Sequence, residues 1–198
     1  MTRRNGAVVR AMRRRLVLVT AAALHVSLST SAPAARVERV NLAVDNALRT
    51  LYAHAAGARA LRNRASAVLV FPRVVKTGAA SGERGGAGVL REHGIATAYY
   101  RSLGSFRGVA PGIESFGYAL FFMSTAALDF LRKTDDWEIG TGPNVVVVDE
   151  PTARELSTAG ARDDICAFVF DRKGLMTGTG LRGTRITRFR PKGDRRVP

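Results

Sequence analysis

The segment Lys173–Phe189, KGLMTGTGLRGTRITRF, holds a complete G-x-G-x-x-G at Gly178, Gly180 and Gly183. In a dinucleotide-binding loop this trio follows a strand, opens a helix and is answered about 20 residues on by an acid that holds the ribose. Here Thr184–Phe189 follows, a β-branched and aromatic run of strand character. The sequence reaches Pro198 with no such helix, second strand or acid. The glycines therefore read as strand positions where a sheet bends or a second backbone comes close, as do Gly82, Gly85, Gly86 and Gly88.

Other chemistry-bearing residues are scattered. The three histidines, His25, His54 and His93, stand apart and show no metal-ligand spacing. The string Gly112–Gly117 has the wrong spacing for a nucleophile elbow, and no P-loop occurs. The pairs Asp135–Asp136, Asp149–Glu150 and Asp163–Asp164 fall at expected turns or element ends, where carboxylates are solvated. Cys166 is the single cysteine, which excludes an intrachain disulfide. It sits in an apolar strand and reads as a buried, inert thiol; reactivity would need a neighbouring base or cation. We expect no catalytic residues, no metal and no cofactor.

Charge distribution is more informative. The 198 residues carry a formal charge of +15 and suit one domain, or one domain behind a targeting segment. Residues 1–34 hold six arginines and no acid, whereas residues 65–181 are close to neutral and residues 182–198 carry +6. Basic ends around a neutral body suit an anionic surface better than a catalytic cleft. Candidate anion-binding side chains are Arg39, Arg49, Arg59 and Arg62 near one end. At the other are Arg182, Arg185, Arg188, Arg190, Lys192, Arg195 and Arg196.

Arg13-Arg14-Arg15, an apolar run from Leu16 to about Leu28, and Ala32-Pro33-Ala34 have the order of an export signal with an A-x-A cleavage site. The run is short for a membrane span. No cysteine follows it, so a peripheral periplasmic or envelope-associated protein is expected rather than a lipoprotein. The expected organisation is a secretory signal over 1–34, one domain over 35–190 and a basic tail over 191–198.

From Arg36 to Arg64, apolar residues recur at steps of three and four, Val37, Val40, Val44, Leu48, Leu51, Ala55, Ala58 and Leu61, which predicts an amphipathic helix. Its apolar stripe suits either a core or a lipid interface. Strand-length runs follow: Val68–Phe71 ending at Pro72, Gly86–Arg91 and Ile95–Arg101 around the turn Glu92-His93-Gly94, then Tyr118–Met123, Trp137–Gly140 and Asn144–Asp149. Ile165–Phe170 and Leu175–Thr179 complete the set. A helix over Ala126–Lys133, capped by Ser124 or Thr125, interrupts them, and Pro151–Ser157 suggests a second. The expected class is α+β: an N-terminal amphipathic helix on a curved, glycine-rich antiparallel β-sheet or sandwich.

The ordered blocks ASAVLVFPRVVKTG (Ala65–Gly78), GAGVLREHG (Gly86–Gly94), FGYALFFMSTAALDFL (Phe116–Leu131), WEIGTGPNVVVVD (Trp137–Asp149) and CAFVFDRKGLMTGTGLRGTRITRF (Cys166–Phe189) resemble the SYLF domain family in its bacterial secreted form. The resemblance covers roughly Asn41 to Phe189. It implies lipid binding, of phosphoinositide membranes among eukaryotic members and of actin too among yeast actin regulators, and no catalytic residues.

Two functions follow as expectations. One is a non-enzymatic envelope module that associates with anionic phospholipid membrane. The other is an envelope structural or protein-interaction module with a solvated tail. Nucleic acid is not an expected partner, because the basic ends carry little aromatic interleaving. Intact-mass measurement of the exported protein should show residues 1–34 removed; a mass that includes Met1 would contradict the export reading.

Overall fold

A computed structural model describes residues 32–77, 81–107, 115–148, 164–173 and 181–191. Two helices come first, α1 (Ala32–His54) and α2 (Ala56–Arg62). Next are strands β1 (Ala67–Thr77), β2 (Ser81–Glu92), β3 (Ile95–Arg107) and β4 (Ser115–Phe122), then α3 (Thr125–Lys133). The chain continues as β5 (Asp136–Glu138), β6 (Val145–Val148), β7 (Ile165–Lys173) and β8 (Arg185–Phe189). The strands form a single eight-stranded sheet in the order β5-β8-β3-β2-β1-β4-β7-β6.

The expected single helix is two. Ala55 takes an extended conformation (φ −123°, ψ 99°) between them. The apolar period carries across the break because both segments bury their stripes on the same face of the sheet: Val44, Leu51, Ala55, Ala58 and Leu61 share a cluster with Val68, Val70, Val89, Phe121 and Phe168. Fully burying one such side chain is worth about 1.5–3 kcal/mol. The stripe is therefore spent on the core.

The sheet is antiparallel except between β6 and β7, which run parallel. A parallel pair needs a crossover of about a dozen residues or more. The stretch 149–164 supplies that length; residues 149–163, with the expected Pro151–Ser157 helix, lie outside the described residues, as do Leu175–Thr179, Gly178 and Gly180. Gly183 occupies a turn just ahead of β8. β1 does not stop at Pro72 but runs on to Thr77, and its register with both neighbours shifts there. A bulge tolerates a residue with no N–H to give.

Chain length forces the sheet to curl. β5 and β6 are its opposite edges, yet only residues 139–144 join them. Eight flat strands would hold those edges about 34 Å apart, whereas the extended chain from Glu138 to Val145 reaches about 25 Å at most. A turn inside the link shortens it further: Thr141 N–H donates to Glu138 O at 3.0 Å, and Trp137 Nε1 donates to Thr141 O at 2.6 Å.

The concave side collects residues from all eight strands, including Leu69, Leu90, Tyr100, Leu120, Trp137, Val145, Ala167 and Ile186, together with Leu128 and Leu131 of α3. Helices α1 and α2 cover the convex side. With both faces covered, every residue of β4 is buried. Helix α3 starts where expected: Ser124 Oγ accepts from Ala127 N–H at 3.2 Å. The same hydroxyl donates to Asp164 Oδ1 at 3.0 Å, while Asp164 Oδ2 accepts from Asn144 N–H at 3.2 Å. One carboxylate of the acidic pair thus ties the α3 cap to the start of β6.

Two glycines serve particular needs. The β2–β3 turn has positive φ at His93 (51°) and Gly94 (84°), the form of a two-residue hairpin. On the concave side, a Cβ at Gly88 would lie 2.6 Å from both the Phe71 ring and the Val70 carbonyl oxygen. Phe71 in turn stacks on Tyr118 at 4.7 Å. Gly88→Ala should therefore destabilise the fold by about 1–3 kcal/mol, read as a lower urea midpoint at unchanged slope.

Candidate functional site: an arginine-lined groove

The N-terminal half of α1 crosses beside β2, β3 and the end of β8, and a groove of about 800 Å³ opens there. Val37 and Val40 of α1, Ala87 of β2, Tyr99 of β3, Phe189 of β8 and Pro191 form its apolar part. Arg36 and Arg39 come from α1, Arg101 from β3 and Arg190 from just past β8; among the described residues no carboxylate lines it.

Strand pairing builds this floor. Tyr99 and Phe189 are direct cross-strand partners with ring centroids 6.2 Å apart. Arg101, two residues along β3 and on the same face, lays its guanidinium 5.0 Å from the Phe189 centroid. Such cation–π contacts hold an exposed arginine by about 0.5–1 kcal/mol and leave its fork of N–H groups outward. Asn41 Nδ2 donates to Tyr99 Oη at 2.9 Å and fixes α1 against the floor. On α1, Arg36 and Arg39 are three residues apart and share a side of the helix. All four arginines are solvent-exposed. Four guanidinium groups around one opening repel each other and favour an anion between them. Bidentate hydrogen bonding to phosphate oxygens suits their geometry.

A second groove, about 890 Å³, lies beside the C-terminal half of α1. It mixes signs: Arg49, Arg62, Arg91 and His93 face Asp45, which pairs with Arg91 at 2.6 Å. Arg62 stands over the Tyr52 ring at 5.2 Å, and Arg49 donates to Asn46 Oδ1 at 3.0 Å. More of its charge is satisfied internally than in the first groove.

The sequence-derived arginines are thus divided. Arg39 and Arg190 meet in the first groove; Arg49 and Arg62 line the second. Arg59 is exposed on α2. Arg185 pairs with Asp136 at 3.4 Å on the far side of β8, and exposed Arg182 precedes that strand. Arg188 lies opposite Tyr100 and points to the concave side. Lys192, Arg195 and Arg196 fall outside the described residues. Arg36 and Arg101 were missed. Arg36 was legible from its three-residue spacing to Arg39, whereas Arg101 becomes visible only once β3 is paired with β8.

Among the described residues no group of His, Cys, Asp and Glu is arranged to hold a metal, and no helix is long and apolar enough to cross a membrane. Cys166 is fully buried. No protein-family model and no curated protein matches the chain.

Burial pushes the Tyr52 phenol up to about 12, with the Arg62 guanidinium pulling the other way. Between pH 10 and 12 the unfolded chain loses this proton while the folded chain keeps it, so stability should fall as pH rises through that window. Denaturation measured across it should show the fall, and Tyr52→Phe should blunt it.

Proposed function

We propose that this protein is a non-enzymatic binding module of the cell envelope that associates with anionic, phosphoinositide-like phospholipid surfaces. The observation that carries the reading is the first groove: four arginines from three parts of the fold surround an apolar floor, with no carboxylate among the described lining residues. Phosphate headgroups would sit in the arginine forks, with the glycerol and upper acyl carbons over Tyr99 and Phe189. The resemblance to the SYLF domain family belongs to the same reading, as do export and the removal of residues 1–34. The glycines of β2 are taken as the positions that let the sheet bend under α1.

Contact falls to the arginines rather than to the stripe of α1. The apolar stripe of α1 faces the sheet, so it is not free to enter lipid. Leu42, 55% exposed, is the large apolar side chain that α1 still presents outward. Attraction then comes chiefly from the arginines, at about 1 kcal/mol each near an anionic surface. The alternative, a protein-interaction module, draws support from β6: this run of four valines is a sheet edge, and Val147 is 41% exposed. Edges of this kind invite a further strand.

Co-sedimentation with liposomes separates the two. Replacing Arg36, Arg39, Arg101 and Arg190 with serine should weaken binding to anionic vesicles by up to about a thousandfold. Raising salt should erase much of the difference, since the Debye length near 0.15 M is about 8 Å. Unchanged affinity in a folded variant would favour the protein-interaction reading.

A further inference from the structure

The concave side of the sheet carries a second polar constellation, across β3 and β8 from the groove. Tyr100 is fully buried, and its hydroxyl has no hydrogen-bond partner. Leaving such a group unserved costs about 1–3 kcal/mol, so a native site that retains one asks for a missing partner. Directly across the strand pair stands Arg188, half-buried, whose main-chain N–H donates to Asp135 O at 2.8 Å. Among the described residues no side chain hydrogen-bonds to or ion-pairs with its guanidinium.

The surrounding charges are already committed or turned outward. Glu92 of β2 accepts from Thr97 Oγ1 at 2.9 Å and is ion-paired with Arg132 of α3. Arg132 also binds Asp129 at 3.1 Å, and the Asp135 side chain is exposed. Burial keeps the Tyr100 hydroxyl protonated above its ordinary range; Arg188 opposes this, and Glu92, Arg132 and Asp135 contribute smaller effects. The hydroxyl is therefore a donor, and Arg188 supplies further donors on the same face.

We infer that Tyr100 and Arg188 form a binding site for the carboxylate of a small organic acid. The arginine fork matches the two oxygens of a carboxylate, and the tyrosine adds a third hydrogen bond. Charge selects against a dianion, because Arg132 is already ion-paired with Glu92 and Asp129, which leaves Arg188 to neutralise one carboxylate and no cation of this set for a second. Leu90, Ala98, Trp137 and Ile186 belong to the same cluster as Tyr100 and give a short alkyl tail an apolar setting. A short-chain monocarboxylate is the class that fits.

Butyrate is the probe, titrated by calorimetry and ligand-observed NMR into the full mature chain, with inorganic phosphate as comparison. Wild-type protein should bind butyrate saturably, more tightly than phosphate, and gain melting temperature with it. Tyr100→Phe and Arg188→Gln should each weaken that binding by about tenfold or more, the scale of one lost charge-assisted bond. Without ligand, Tyr100→Phe should melt no lower than wild type, because phenylalanine leaves no hydroxyl unserved. The inference is overturned if wild type does not bind butyrate, or if both variants bind it as wild type does. It is also overturned if Tyr100→Phe lowers the melting temperature, which would mean that water already serves the hydroxyl.

Discussion

Six residues, 139–144, bridge the two edges of an eight-stranded sheet. Their reach is shorter than the flat sheet is wide, so the sheet has to curl, and most of the fold follows from that. Curling gathers side chains from all eight strands into one core. Trp137 holds the constraint in place, with its indole N–H on Thr141 O and its ring edge-on to Phe130 of α3 at 6.1 Å. Asp164 secures the other end of the link by binding both Asn144 and Ser124.

A curled sheet has a convex side, and the helices α1 and α2 supply its cover. The central strands are thus buried on both faces, which accounts for near-continuous apolar runs such as Tyr118–Phe122. Where the cover ends, at the start of α1, the convex face of β3 and β8 emerges as the aromatic floor of the groove. The site is the margin of a core: Tyr99 belongs to the convex cluster and also lines the groove. Substitutions at Tyr99 would therefore mix folding and binding, whereas the four exposed arginines separate them.

Local features were legible in the sequence. Ser124 as a cap, the His93-Gly94 turn and the strand character of Thr184–Phe189 all depend on residues within a few positions of one another. Failures came where distant contacts decide. Ala55 breaks a helix whose apolar period runs on without interruption, because the same sheet face accepts both halves. Pro72 sits inside a strand rather than at its end, since two neighbours accommodate a bulge. Arg101 is in sequence one more strand arginine; its place beside Phe189 depends on the pairing of Tyr99 with Phe189, 90 positions apart. Arg188 and Arg190 are two residues apart, yet Arg188 points to the concave side within β8 while Arg190, just past the end of that strand, reaches the groove.

The central claim is that the groove between α1, β3 and the end of β8 holds an anionic headgroup. A crystal structure with a short-chain anionic phospholipid tests it most directly. The account predicts the phosphorus within the ring formed by Arg36, Arg39, Arg101 and Arg190, with the glycerol against Phe189. Phosphorus found only beside Arg59, Arg182 or Arg185, with the groove unfilled, would contradict it.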